Sequence, residues 1–168
     1  MNIFAVHADP VRSARMLSDR HVVKMVLETA QILCTIAHLH GHAPPYRPTH
    51  ANHPCVIWAG AGYANWRWLV RHGLALCDEY TRRYERIHKS CAVIEWIEQH
   101  AAGPLRDRGR RQPFAQAMPK KYRGTDAVAA YRRYYIGEKQ SFASWHAPAK
   151  PPAWWPKPKR HAAKGDVD

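Results

Sequence analysis

The sequence predicts an all-α fold: a compact single domain of three main helices with long loops, closed by an extended Pro/Lys-rich C-terminal tail. Apolar residues recur every three to four positions through three long stretches, the spacing that gives a helix one buried face. Strand-like alternation runs no further than residues 2–6. Gly and Pro cluster between the stretches, as in Gly41–Pro48 (GHAPPYRP) and Gly103–Pro113 (GPLRDRGRRQP), and mark these segments as loops. At 168 residues, 46% of them hydrophobic, the chain can build one core but not two. It divides into a helical domain, 1–148, and a basic tail, 149–168.

In chain order, residues 2–6 form a short extended lead-in packed on the core. Asp9-Pro10 opens a turn or a first helical turn, since Pro is acceptable at the first helical position, and Arg12–Leu17 reads as helical. Asp19 is a break or N-cap before the principal helix, which runs to about His38. A second long helix is expected from Pro54, with His53 as its N-cap, and its apolar positions continue from Val56 to Tyr84. Gly60, Gly62 and Gly73 each weaken that helix by about 1 kcal/mol relative to Ala, so close packing against the principal helix is the expected reason for them. Ala92–His100 is a shorter amphipathic helix. Pro119–Gly124 is a basic loop, and a third long helix follows from Thr125 or Asp126 to about Trp145. Beyond His146 the Pro- and Lys-rich composition predicts an extended, mobile tail.

The principal helix carries polar groups where a core helix should be apolar. His21, Lys24, Glu28 and Gln31 fall at i, i+3, i+7 and i+10, so they line one narrow face between Val, Met, Leu and Ile neighbours. Polar groups held among apolar walls cost free energy unless they are hydrogen-bonded or line a site. Glu28 is the leading candidate, because a carboxylate among apolar neighbours can act as general acid or base near neutrality. Lys24, one turn earlier, is either its counter-ion or, if desolvated, a nucleophilic amine.

Charge names the partner. Lys plus Arg outnumber Asp plus Glu 26 to 13, a formal charge of +13 that points to a polyanion, with nucleic acid, and double-stranded DNA once the motifs below are added, ahead of an anionic membrane. The N-terminal residues MNIFAVHADP have neither the basic region nor the apolar run of a signal peptide or membrane span, so a cytoplasmic protein without membrane attachment is expected. Cys34, Cys55, Cys77 and Cys91 include no close pair; buried free thiols are expected, and no metal site or other cofactor.

Cations and aromatic side chains are interleaved as binding of unstacked nucleotides requires. Arg106, Arg108, Arg110, Arg111, Lys120, Lys121 and Arg123 make two basic loops, and Arg132, Arg133 and Lys139 extend the charge along the third helix. Tyr122, Tyr134, Trp154 and Trp155 supply aromatic faces. His50, Asn52 and His53 stand at the start of the second helix, where backbone N–H groups favour a phosphate oxygen or are satisfied by ordinary capping.

The segment Leu17–Glu28 (LSDRHVVKMVLE) resembles the catalytic helix of the phage pyrimidine-dimer DNA glycosylases of the endonuclease V type, with Asp19, His21 and Glu28 at that family's Asp, His and Glu positions. His53–Gly62 (HPCVIWAGAG) is similar to the family's Pro-led helix start with its Gly-Ala-Gly run, and Ala153-Trp154-Trp155 followed by Pro and Lys is similar to its aromatic, basic C-terminus. The resemblance implies an all-α enzyme that kinks DNA and reaches a pyrimidine site by extruding a nucleotide. It further implies attack of an N-terminal α-amine on the sugar C1′ with the Glu assisting, then β-elimination. Two departures stand beside it. Asn2 follows Met1, a poor context for removing the initiator, so the amine is displaced by one residue; and Leu27 and Gln31 stand where the family has arginines flanking its Glu.

The combined expectation is a monomeric DNA-binding enzyme acting on a pyrimidine nucleotide. Glu28 is the working carboxylate, His21 and Lys24 tune or orient it, the Met1 amine is the nucleophile, and Gln31 reads a base edge. His50, Asn52, His53, Lys120, Lys121, Arg123, Arg132, Lys139, Trp154 and Trp155 hold the DNA. Two alternatives remain at this point. One is a phage-type transferase that joins a small amine or amino-acid co-substrate to an activated 5-hydroxymethylpyrimidine without strand cleavage. The other is a non-catalytic DNA-binding protein.

Overall fold

The computed structural model of the chain describes residues 1–101 and 109–157. Among them the regular elements are all helical: α1 (Pro10–Met16), α2 (Asp19–Leu39), α3 (Pro54–Gly60), α4 (Tyr63–Tyr84), α5 (Cys91–His100), a 3₁₀ turn (Lys120–Tyr122) and α6 (Ala127–Lys139). The all-α expectation holds. Arg106 and Arg108 lie outside the described residues.

α2 and α4 form the centre. Both pack on each other and on α3 and α5, and α1 lies on α4. α2 is long and apolar enough to cross a membrane by length and composition alone, but 67% of its most apolar window is buried inside the protein, as for a core helix. Gly73 permits the crossing. A Cβ there would lie 2.7 Å from Thr29 Cγ2 and 2.9 Å from Ile94 Cδ1, so α2, α4 and α5 approach each other only over a bare Cα. Gly60 plays no such part, since a Cβ on it would meet only Ile36, at an ordinary 3.6 Å.

Three boundaries and one cysteine pairing differ from expectation. α2 begins at Asp19 with Ser18 as N-cap, which frees the Asp19 carboxylate for other partners. The long second helix is two, α3 and α4. Gly62 adopts an extended backbone between them, and Asn65 Nδ2 donates to the Trp58 carbonyl at 2.7 Å, near the open end of α3. α6 stops at Lys139 instead of running to Trp145, although Phe142 and Trp145 still pack inward, against His21 and Trp155. Finally, Cys77 and Cys91 form a disulfide between α4 and α5, correcting the expectation of four free thiols. Cys34 and Cys55 remain free and buried; burial pushes the Cys55 thiol up to about 12, so it stays protonated.

The tail also departs from expectation. Through Lys157 it folds back on the domain, with Trp154 and Trp155 each edge-on to Tyr135 and Trp154 Nε1 donating to Met16 Sδ at 3.4 Å. Trp154 and Trp155 are both half-buried against the core.

The N-terminal lead-in runs through the core. Asn2, Ile3, Phe4, Ala5 and Val6 are all buried. Asn2 Nδ2 donates to the Ala117 carbonyl at 2.8 Å, Val6 N donates to Ser13 Oγ at 3.2 Å, and Arg132 Nε donates to the Val6 carbonyl at 2.9 Å. Phe4 sits at φ +37° in a tight turn closed by Val6 N donating to its carbonyl at 2.7 Å. A non-glycine residue in that region costs on the order of 1–3 kcal/mol and persists only where its surroundings fix it. Here those surroundings are rings: Phe4 stacks on His21 at 4.4 Å between centroids and meets Tyr131 and Tyr135 edge-on.

A buried charge cluster ties the start of α2 to α4 and to the segment after α6. Arg83, whose side chain is 0% exposed, donates to Asp19 Oδ1 at 2.9 Å, to Glu79 Oε1 at 2.7 Å and to the Arg15 carbonyl at 3.3 Å. Asp19 also accepts from Ser144 Oγ at 2.9 Å and from the His146 amide, and His146 Nδ1 lies 2.7 Å from it. Burial works to raise the Asp19 carboxyl, but the hydrogen bonds from His146, Ser144 and Arg83 outweigh it and hold the group below its ordinary 3.8.

Two buried histidines predict an acid response. Burial pushes His72, stacked on Trp68, down to about 4, and His21 down to about 3. Below the ordinary 6.5 the unfolded chain therefore binds protons that the folded chain does not. Stability is greatest above that value and is lost progressively as pH falls toward about 4. Asp19 adds to the loss only lower, as pH falls through its depressed value. Urea midpoints measured from about pH 7.5 to about pH 4.5 should decline below about 6.5; a flat profile would show that these imidazoles protonate in the fold without penalty.

Candidate active site

The site is built where the buried N-terminal segment meets the middle of α2. Helical spacing puts Glu28 over the end of that segment, and its side chain is 10% exposed. The Asn2 amide donates to Glu28 Oε2 at 2.9 Å, and the Met1 amine lies 4.0 Å from Oε1. Lys24 Nζ, one turn earlier, is 3.3 Å from the same Oε1. The carboxylate thus gathers the main-chain nitrogens of residues 1 and 2 and one ammonium.

Asn2 makes this geometry firm. Its Oδ1 accepts from the Ile3 and Phe4 amides at 2.8 and 3.1 Å, turning the chain so that its own nitrogen faces Glu28, while its Nδ2 holds Ala117. Sequence reading passed over Asn2 as a site residue. An Asn can satisfy amides one and two residues on, which is the only local signal for its role.

His53 borders the same space. It caps α3 by accepting from the Cys55 amide at 3.1 Å. Burial lowers its imidazole first, the positive charges of the N-terminal amine and His50 lower it further, and Glu28 pulls the other way. These influences place the start of α3 within electrostatic reach of the amine and Glu28. The Cys55 amide at that end is occupied by His53 itself, so capping takes a donor that a phosphate would otherwise meet. His50 is exposed at φ +51° with Nδ1 2.6 Å from Thr49 Oγ1, and Asn52 is exposed beside it.

Gln31, half-exposed one turn beyond Glu28, lines an open cleft of about 400 Å³ with Leu27, Pro45, Tyr46, Arg47, Pro48 and Thr49. A larger cavity of about 870 Å³ lies elsewhere, under the tail, between Trp145, Trp155, Lys150 and Pro152. Size favours the second. The first is lined by Leu27 and Gln31, the residues one before and three after Glu28 on α2, and proximity to the reactive groups decides between them.

His21 belongs to a different environment from the one its spacing suggested. Its Nδ1 lies 2.5 Å from the Tyr135 hydroxyl and its ring stacks on Phe4, so its hydrogen bond goes to α6 and not to Glu28. It supports the amine only through the segment it packs against. The polar stripe of α2 therefore splits: His21 holds the aromatic core, while Lys24, Glu28 and Gln31 face the site.

The basic residues divide likewise. Lys120 is exposed on the 3₁₀ turn that follows the Ala117 contact. Lys121 pairs with Glu138 at 2.9 Å. Arg123 Nε donates to the Met118 carbonyl, Arg132 pins Val6 and lies over Trp154, and Lys139 lies over the Tyr134 ring. Most of these cations are engaged within the protein. Among the described residues, no three His, Cys, Asp or Glu side chains come together in a group that could hold a metal.

An all-α frame that delivers chain-terminal nitrogens to a helix-borne carboxylate beside an open cleft defines a class of amine-and-carboxylate sites suited to reaction at an electrophilic carbon. The family model for pyrimidine dimer DNA glycosylases matches residues 1–93, which contain Met1, Asn2, Lys24, Glu28, Gln31 and His53. The match covers more than half of the 168 residues, and the chain belongs to that family. At family level this makes it a DNA-repair glycosylase with DNA as its partner. No curated protein and no solved structure matches the chain significantly.

Proposed function

We propose that the protein cleaves the glycosidic bond of a pyrimidine nucleotide in double-stranded DNA and then the strand, with the N-terminal amine as nucleophile and Glu28 as its carboxylate. The observation that carries this reading is the convergence of the residue 1 and residue 2 nitrogens on one buried carboxylate, at 4.0 and 2.9 Å. In the proposed reaction the neutral amine's lone pair forms a bond to the sugar C1′. The C1′–N1 bond breaks, and its electron pair leaves with the base, which takes up a proton. The nitrogen gives up a proton and its lone pair opens the C1′–O4′ bond, O4′ taking up a proton, to give a protonated imine; removal of a C2′ proton then breaks the C3′–O bond and expels the 3′ phosphate. Glu28 accepts the amine proton and stabilises positive charge developing at C1′. Lys24 is its counter-ion. A lysine nucleophile requires desolvation, and the Lys24 side chain is 67% exposed.

Borohydride trapping tests this directly. Incubation with a duplex bearing a cyclobutane pyrimidine dimer or an abasic site, followed by borohydride, should give a covalent protein–DNA adduct. Peptide mass mapping should place it on the N-terminal nitrogen. An adduct on Lys24 would transfer the nucleophile's role to that residue. DNA binding without any adduct would remove the glycosylase/lyase reaction and leave the base-modifying transferase as the better account.

A further inference from the structure

The cleft beside Glu28 has one unengaged cation at its mouth, and it lies outside both basic loops. Arg47 stands in the Pro-flanked sequence Pro45-Tyr46-Arg47-Pro48 and is exposed. Arg83, Arg123 and Arg132 spend their guanidinium groups on partners within the protein, whereas Arg47 has none among the described residues.

The backbone that carries Arg47 is fixed on both sides. Ahead of it, the Tyr46 carbonyl lies 3.1 Å from His38 Nε2 and the Tyr46 hydroxyl 3.0 Å from Ser90 Oγ. Behind it, Thr35 Oγ1 on α2 accepts from the Thr49 amide at 3.0 Å, with its single proton shared between the Gln31 carbonyl at 2.8 Å and the Thr49 carbonyl at 3.0 Å. With the backbone pinned, binding an anion has only the Arg47 side chain left to order, and not the loop that carries it. The rest of the cleft is neutral: Leu27, Pro45 and Pro48 are apolar, and Gln31 offers one amide. At about 400 Å³ it lies within the size range of small-molecule sites. An apolar wall, one amide and one guanidinium suit a base with its attached phosphate.

We infer that Arg47 is the phosphate-binding residue of this cleft, holding a phosphodiester next to the nucleotide on which Glu28 acts; the inference rests on the glycosylase reading above. The planar fork of the guanidinium takes two phosphate oxygens at once, which an ammonium cannot match. Neutral Leu27 and Gln31 leave Arg47 to supply the cation at that lip, with Lys24 already committed to Glu28.

The test uses the full chain and a duplex with one tetrahydrofuran abasic-site analogue, with affinity measured over a range of salt. Arg47→Ala should weaken binding about tenfold and reduce the slope of log affinity against log salt by about 0.9, the loss of one phosphate contact. Arg47→Lys should restore the slope while binding more weakly than wild type. Arg71→Ala, on the outer face of α4 near Glu98, should match wild type. Wild-type affinity and slope in Arg47→Ala, with borohydride trapping intact, would overturn the assignment and leave the glycosylase reading standing. A wild-type protein that neither traps nor binds in a salt-dependent way would remove both. Arg47 is exposed, so loss of fold is not expected; a matching circular-dichroism melt checks it.

Discussion

Glu28→Gln should lower borohydride-trapped adduct and strand cleavage by about 10²–10⁴-fold, the range associated with losing a positioned acid–base group. The substitution is chosen to leave the fold in place. The Gln side-chain oxygen can still accept from the Asn2 amide, which donates to the Glu28 carboxylate at 2.9 Å. What it removes is the negative charge beside the Met1 amine and the capacity to take its proton. DNA affinity should change little, because Glu28 repels phosphate if it does anything to it. Unchanged cleavage in this variant would show that the carboxylate only organises the N-terminal segment, with the chemistry supplied elsewhere.

Arg83→Met should destabilise the protein by about 3–5 kcal/mol, the usual cost of removing one partner from a buried ion pair. The guanidinium is fully buried and joins Asp19 to Glu79; without it, two buried carboxylates face each other's field, with Arg82 on Glu79 and the Ser144 and His146 donors on Asp19 as the remaining compensation. Chemical denaturation at neutral pH measures the effect. A loss below about 1 kcal/mol would mean that these residual donors suffice. The cluster lies at the start of α2, more than two turns from Glu28, so folded Arg83→Met should retain trapping activity.

Much of this architecture was legible in the residues. α2 could be read from its periodicity, and the Asp19, His21 and Glu28 spacing pointed to the right family. What the spacing could not settle was what each side chain of one face would meet. His21 and Glu28 share the stripe, but Tyr135, more than a hundred residues later, claims the first, and the chain's own beginning claims the second. Basic residues were legible as charge and not as availability: Arg132 and Arg123 are consumed by backbone carbonyls, while Arg47, in a loop read only for its prolines, is free. The break between α3 and α4 was hidden because Asn65 and Gln112, which hold it, are distant in sequence. The Cys77–Cys91 bond was hidden for a related reason, since only the turn between two helices brings those residues together.

The threading of residues 2–6 through the core fixes when in the life of the chain the site can exist. Asn2 is tied to residue 117, Val6 to residue 132, and Phe4 lies against Tyr131 and Tyr135. Residues 2–6 therefore wait for residues more than a hundred positions later before they acquire a settled place. A nascent chain that has completed α2 and α4 already carries Glu28 and its Asn2 partner, yet lacks residues 117, 131, 132 and 135, which hold that segment from its other side. Full packing of the segment beside Glu28 is thus deferred until translation has passed α6, and a truncated product that retains every residue of the family match would still lack those contacts.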